Sequence, residues 1–212
     1  MVWYSGANQA AGLRGILRPM LQIIHHPHPT LRHKSKPVRK VDAELKALVA
    51  EMFTLMYEAR GIGLAANQVN LPLRLFVMNL TADPSEGEEL VFINPVISRP
   101  TGHEVGEEGC LSLPQVFGPV LRPAEVMFTA YNLKGEKFEQ KVDGMFARCV
   151  QHETDHLDGI MFFERMGDDD LLEIERDIAE FELSYDKQKG AGKVPSDEEV
   201  ARHIAELEAK YC

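Results

Sequence analysis

His152-Glu153-Thr154-Asp155-His156 is the stretch of this sequence with the clearest chemical content. Two histidines four residues apart fall on one face of an α-helix, about one turn apart. Their imidazoles can reach a single metal ion from one side. Glu153 follows the first histidine directly and can take a proton from a water on that ion without being a ligand itself. Metal-assisted hydrolysis is the chemistry this arrangement suits. The competing reading is a solvated helix face of His, Glu and Asp, and the motif alone does not decide between them.

An open catalytic site needs a third protein ligand and one position for water. Metzincin proteases place a glycine three residues after the second histidine and a third histidine three residues further. Gly159 stands at the first of these positions, but Phe162 occupies the second and cannot bind metal. Gluzincins use a downstream Glu, for which Glu173 and Glu180 are formal candidates. Cys149 lies on the same helical face as His152, too low to share the ion, and reads as a buried wall. Cys110 sits in Glu107-Glu108-Gly109-Cys110-Leu111-Ser112-Leu113-Pro114. Gly109 lets the backbone come close, and Pro114 closes the segment as a rigid turn. As a ligand Cys110 is a soft thiolate donor; otherwise it is an ordinary buried cysteine.

The elements that must position these groups follow from periodicity. The apolar stripe of Leu45, Leu48, Val49, Met52, Phe53, Leu55 and Met56 predicts a helix from Asp42, its N-cap, to Ala59, stopped by Gly61. The histidines ride on a helix over Met145–Leu157, ended by Asp158-Gly159. Residues 61–68 read as a small-residue loop. Strands are expected at Leu73–Leu80, Leu90–Ile93, Val126–Tyr131 and Lys137–Val142, the last two joined by a Lys134-Gly135 turn. Asp168 to about Lys187 is a third long helix, with Asp residues where the macrodipole favours them. After a linker over 190–195, Ser196 and Glu199 form a capping box for a last helix to about Lys210. His25-His26-Pro27-His28-Pro29 excludes an α-helix and reads as a solvated loop. Strands and helices without strict alternation indicate an α+β fold.

The chain has 212 residues, 44% hydrophobic and 26% charged, which suits one globular domain with a small appendage. No run approaches a membrane span. The formal net charge is −10, which argues against nucleic-acid binding. Yet residues 1–41 carry Arg14, Arg18, Arg32, Lys34, Lys36, Arg39 and Lys40 and no acidic side chain. That start is either a short extension lying on an acidic body or an organelle transit segment; it is too broken for a secretory signal. Residues 168–212 hold fourteen acidic and six basic side chains, unlike a basic tail that approaches RNA. Three cysteines in no framework spacing suit a reducing compartment.

Three motifs, in order and spacing, resemble those of the peptide deformylases. They are Gly61-Ile62-Gly63-Leu64-Ala65-Ala66-Asn67-Gln68, Glu108-Gly109-Cys110-Leu111-Ser112, and Gln151-His152-Glu153-Thr154-Asp155-His156-Leu157-Asp158-Gly159. The resemblance runs from about Leu21 to Arg165. It implies residues 1–20 as an N-terminal extension, 21–166 as the catalytic domain and 167–212 as an acidic helical extension. It implies antiparallel β-sheets packed around a central helix that carries the histidines. The implied activity removes the N-formyl group from formyl-methionine on nascent chains.

By the same resemblance Cys110, His152 and His156 hold Fe(II), which zinc, nickel or cobalt can replace. Glu153 is the base, and the Gln68 amide and the Leu111 N–H stabilise the oxyanion. Without the resemblance Gln68 reads as a structural loop amide. Gly61, Ile62 and Gly63 would meet the peptide as an added strand, and Ile62, Met145, Cys149 and His152 would wall the methionine pocket. Glu108 and Arg122 form the implied ion pair behind Cys110, with a surface salt bridge as the plainer reading. Two departures stand out: Phe117 replaces an arginine frequent in relatives, and Gly106 replaces a branched pocket residue, which predicts a wider rim. The expected cell compartment is the bacterial cytoplasm, with mitochondrion or plastid as the alternative, and the expected assembly is a monomer or homodimer.

Overall fold

The computed structural model describes residues 21–212, so the N-terminal extension expected over 1–20 lies outside it. Helix α1 (Ala43–Glu58) begins where expected, with the Asp42 carboxylate accepting from the Leu45 N–H at 2.9 Å. Its apolar stripe is buried against a five-stranded sheet. The strands of that sheet are β1 (Gly63–Ala65), β2 (Leu75–Met78) and β3 (Leu90–Thr101), then, after a separate hairpin, β6 (Glu125–Tyr131) and β7 (Lys137–Asp143). Their order is β1-β2-β3-β6-β7, antiparallel throughout. The hairpin is β4 (Glu104–Cys110) with β5 (Leu113–Arg122).

Three elements differ from the sequence reading. Residues 61–68 are not loop throughout, because Gly63–Ala65 is the edge strand β1, followed by one 3₁₀ turn over Ala66–Val69. Strand β3 runs on through Pro95 to Thr101. Register shifts against β6 after Ile93 and after Ser98 break the apolar alternation that would have revealed it. The Cys110 segment is the tight end of a hairpin rather than an isolated turn, with Cys110 opposite Leu113.

Helix α2 (Gly144–Leu157) lies between the sheet and the hairpin. Ala147, Cys149, Val150 and Leu157 pack with Phe76, Phe92 and Phe128 of the sheet. The hairpin has its own cluster, in which Cys110, Leu113, Val116 and Val120 join Leu31, Phe162 and Phe163. The architecture is α+β, with antiparallel sheets around the helix that carries both histidines.

The C-terminal helices belong to this body. Helix α3 (Asp168–Gly190) buries Ile174 against the hairpin cluster, with Leu171, Ile178 and Phe181 packed beside it, while Leu172 is exposed. Helix α4 (Asp197–Tyr211) has the expected capping box: the Ser196 N–H donates to Glu199 at 2.8 Å, and the Glu199 N–H donates to Ser196 Oγ at 3.2 Å. It drives Tyr211 into the α1 core at 1% exposure. Arg39 N–H donates to the Tyr211 carbonyl at 2.7 Å, and Glu208 takes both His33 and Lys36. The chain beyond Lys187 therefore supplies core, not only a polar appendage.

The His-Pro segment is solvated only in part, since His25 is exposed. His26 and His28 are buried, and a 3₁₀ turn follows over Pro29–Arg32. Their rings meet Phe163 and Tyr185 edge-on, and His25 meets Phe181. The prolines exclude an α-helix as expected, but α3 covers the segment. None of the described helices is long and apolar enough to cross a membrane.

Tyr211→Ala should cost about 3 kcal/mol or more, the range for emptying a large aromatic site, read as a lower denaturant midpoint. His28 gives a second expectation. Burial pulls its pKa down to about 4, and His203 adds like charge. The folded chain then binds fewer protons than the unfolded one, so stability is present above pH 6.5 and falls as pH drops towards 4. His28→Asn should flatten the fall of the thermal midpoint across that window.

Candidate metal centre

Cys110 closes β4, and His152 and His156 project from one face of α2. Cys110 Sγ is 3.1 Å from His156 Nε2, which is 3.1 Å from His152 Nε2. All three donor atoms lie within 4.8 Å of one another. A tetrahedral ion with bonds of about 2.0–2.3 Å separates its ligands by roughly 3.3–3.6 Å, so the donor set fits one ion. Glu173 and Glu180 are exposed on α3 and take no part. Cys149 is a buried wall, its thiol pushed well above the usual value by burial.

Burial lowers the pKa of both histidines. His156 follows it and sits well below the ordinary value. For His152 the bonds to Cys110 and Glu108 and the charge of Glu153 overcome burial and push it up to about 10.

Glu108 organises the surroundings. Its Oε1 accepts from Arg122 Nε at 2.6 Å and Arg148 Nη1 at 2.8 Å. Its Oε2 meets Arg122 Nη2 and His152 Nδ1, each at 2.9 Å. Burial would raise the carboxyl pKa, but His152 and Arg122 hold it well below the usual range. Glu108 and Arg122 are both buried, so this pair is not a surface salt bridge. Arg122 continues to Asp155 at 2.8 Å, and Asp155 also takes Arg165 at 2.7 Å.

Glu153 stands on the neighbouring face of α2, 4% exposed, with Oε2 unpartnered. Burial, opposed by the charge of His152, raises its pKa to about 7. Gly63 makes this fit: a Cβ there would lie 2.5 Å from Glu153 Oε1 and 2.9 Å from Cys149 Sγ. Gln68 is fixed from both ends. Its Oε1 accepts from the Ala65 N–H at 2.8 Å, and its Nε2 donates to Cys110 Sγ and Ser112 Oγ at 3.3 Å.

A cavity of about 840 Å³ opens over these groups. It runs between the edge strand β1 and β4, and its lining includes Gly61, Ile62, Gly63, Gln68, Leu111 and Cys149. Met145 is not part of it; it is 57% exposed near the start of α2. Gly106 does not widen the rim either, because the Arg148 guanidinium fills the space beside it. Phe117 stands on the rim, 57% exposed. Arg148 and Arg165 lie outside the three motifs, and Asp155 and Ser112 lie within them but carried no assigned role. Arg148 lies four residues before His152, and that spacing was the available signal.

The chain matches the polypeptide deformylase family over residues 20–171. It is 50% identical over 191 residues to a peptide deformylase of Rhodopirellula baltica, covering 90% of this chain and 95% of that one. It is 41% identical over 181 residues to the chloroplastic peptide deformylase 1B of Solanum lycopersicum, covering 85% of this chain and 64% of that one. A crystal structure of a plant peptide deformylase superposes with a TM-score of 0.80 at 39% identity, covering 85% of this chain and 97% of that one.

Cys110→Ala should bind one equivalent of metal far more weakly than the parent protein, with the α+β fold retained. Elemental analysis after gel filtration, with circular dichroism as the fold control, checks this. Equal metal content in the variant would return the third-ligand role to another residue.

Proposed function

The chain belongs to the polypeptide deformylase family and is a metal-dependent hydrolase that removes formyl groups, and from that premise we propose how its own residues do so. One observation carries the reading: a thiol and two imidazoles converge beside a buried carboxylate that has an unpartnered oxygen. Cys110, His152 and His156 would hold the ion, and the thiolate suits Fe(II), with zinc, nickel or cobalt as replacements. A divalent ion bound there would supply Lewis acidity and would lower the pKa of a water.

Glu153 Oε2 takes the proton of the attacking water and passes it to the departing amine nitrogen. Burial, which raises the Glu153 pKa, suits a carboxyl that both accepts and returns a proton. Gln68 Nε2 and the Leu111 N–H stabilise the oxyanion that forms on the formyl group. Ala65 holds the Gln68 amide through its Oε1, and Nε2 reaches the oxyanion by exchanging one of its two bonds, to Cys110 Sγ or Ser112 Oγ. Gly61, Ile62 and Gly63 receive the peptide as a strand added at the open edge of β1. Ile62, Cys149 and the ring of His152 receive the methionine side chain. Glu108 and Arg122 orient His152 and the Cys110 segment. Phe117 offers apolar contact to the residues after methionine.

The substrate is the formyl-methionyl end of a nascent chain, released as formate and a free amine. The acidic surface supports direct action on the peptide without nucleic-acid binding. Residues 21–166 form the catalytic unit, the body 167–212 completes, and the chain works as a monomer or homodimer. We place it in the bacterial cytoplasm; the basic residues 1–20 and the name of the tomato relative support an organelle as the alternative.

Glu153→Gln should keep its metal and lose about 10²–10⁴-fold in activity. The assay is formate release from a formyl-Met peptide, run beside internal cleavage of an unformylated one. Near-parental formate release from the metal-loaded variant removes Glu153 as the base.

A further inference from the structure

Arg148 sits where the two halves of the metal centre meet. Its side chain is 11% exposed and leaves α2 towards the hairpin. Nη1 donates to Glu108 Oε1 at 2.8 Å and to the Val120 carbonyl of β5 at 3.0 Å. Nη2 donates to the Glu104 carbonyl of β4 at 2.9 Å. One planar guanidinium thus joins helix, both hairpin strands and the carboxylate that holds His152. Its fork geometry is suited to this and an ammonium is not. Room for it comes from Gly106, where a Cβ would lie 2.7–2.8 Å from Cζ, Nε and Nη2. The guanidinium is the flexible end of its side chain, but here it could move only by giving up these acceptors.

We infer that Arg148 is a positioning residue: by tying the Cys110 hairpin to the histidine helix it sets the separation of the three metal-holding side chains, with Gly106 as the notch that admits it. The inference rests on Cys110, His152 and His156 as the ligand set. Cys110 and the histidines lie on different elements, and no ligand on its own fixes the gap between them. Glu108 bonds His152 directly, and Arg148 presses on that same carboxylate while gripping the strands on either side. Arg122, the other cation on Glu108, comes from the hairpin itself. Arg148 is the guanidinium that Glu108 receives from the helix.

The test uses full-length protein loaded with Co(II), whose thiolate-to-metal absorption reports the ligand geometry. Arg148→Met should weaken Co(II) binding about 10–100-fold in chelator competition, and shift that absorption. The fall in formate release should appear in kcat, with KM changed by less than about threefold. Gly106→Ala should reproduce the same changes, and adding it to Arg148→Met should make nothing worse. Arg148→Lys should recover only part of the affinity. Unchanged affinity and spectrum in folded Arg148→Met overturn the inference, as does a lower thermal midpoint with metal binding intact. A change confined to KM also overturns it, making Arg148 a substrate contact. Should Arg148→Met not fold, Gly106→Ala and Arg148→Lys decide by the same readouts. Cys110→Ala separates the two levels. If it loses cobalt while Arg148→Met keeps it, only the Arg148 inference falls; if it keeps cobalt, the ligand set falls and the inference with it.

Discussion

The carboxylate of Glu108 is the point on which this structure turns. A buried carboxylate without partners is strongly unfavourable, and this one makes four bonds to three partners. Two guanidinium groups and one imidazole surround it, drawn from both the hairpin and α2. Each partner is thereby fixed relative to the others. Cys110 is two residues further along the same strand, so holding Glu108 also holds the thiol. The interaction is better understood as geometric than as stabilising. A well-packed apolar pair could bury the same surface at less electrostatic cost, but it would not orient His152 Nδ1.

The second constraint is a helix that is buried on nearly every side and is polar along much of its length. Gln151, Glu153, Thr154 and His156 of α2 are all buried. Each therefore needs a partner or a function. Gln151 donates to the Pro123 and Ala147 carbonyls, and Thr154 donates back to the Val150 carbonyl. Asn67 donates to the His156 carbonyl, tying the β1 loop to the helix. Glu153 Oε2 and His156 Nδ1 keep no partner, and Glu153 lines the cavity. Wrapping a polar helix in antiparallel sheets buries its functional face, and the cavity opens onto it. Gly63 lets β1 close over that carboxylate.

The ends of the described chain reinforce the same region. Ile24 N–H donates to the Gln68 carbonyl at 2.8 Å, and His26 N–H to the Ser112 carbonyl at 2.9 Å. Residues 24–26 therefore bridge the loop that bears Gln68 and the turn that bears Leu111. Helix α3 packs over this bridge through Phe181, Glu182 and Tyr185. Helix α4 returns to α1 and places Tyr211 in its core. The acidic tail, which is distant from the motifs in sequence, thus backs the segment that holds two of them together.

Much of this was legible without coordinates because it is local. The four-residue spacing of His152 and His156, the stripe of α1 and the box of Ser196 with Glu199 each depend on helical geometry over a few residues. The three motifs together carried the family. Cys110 could be joined to the histidines only through that resemblance, since the residues themselves left Glu173 and Glu180 open. Tertiary structure decided what depends on contacts distant in sequence. It carried β3 past its register shifts, paired β4 with β5, buried His26 and His28 beneath α3, and left Met145 in solvent. It filled the notch at Gly106 with Arg148, forty-odd residues away, where the sequence reading expected open space. A side chain's spacing says which helical face it shares. Only the packing of that face against a strand from elsewhere says which carboxylate it meets.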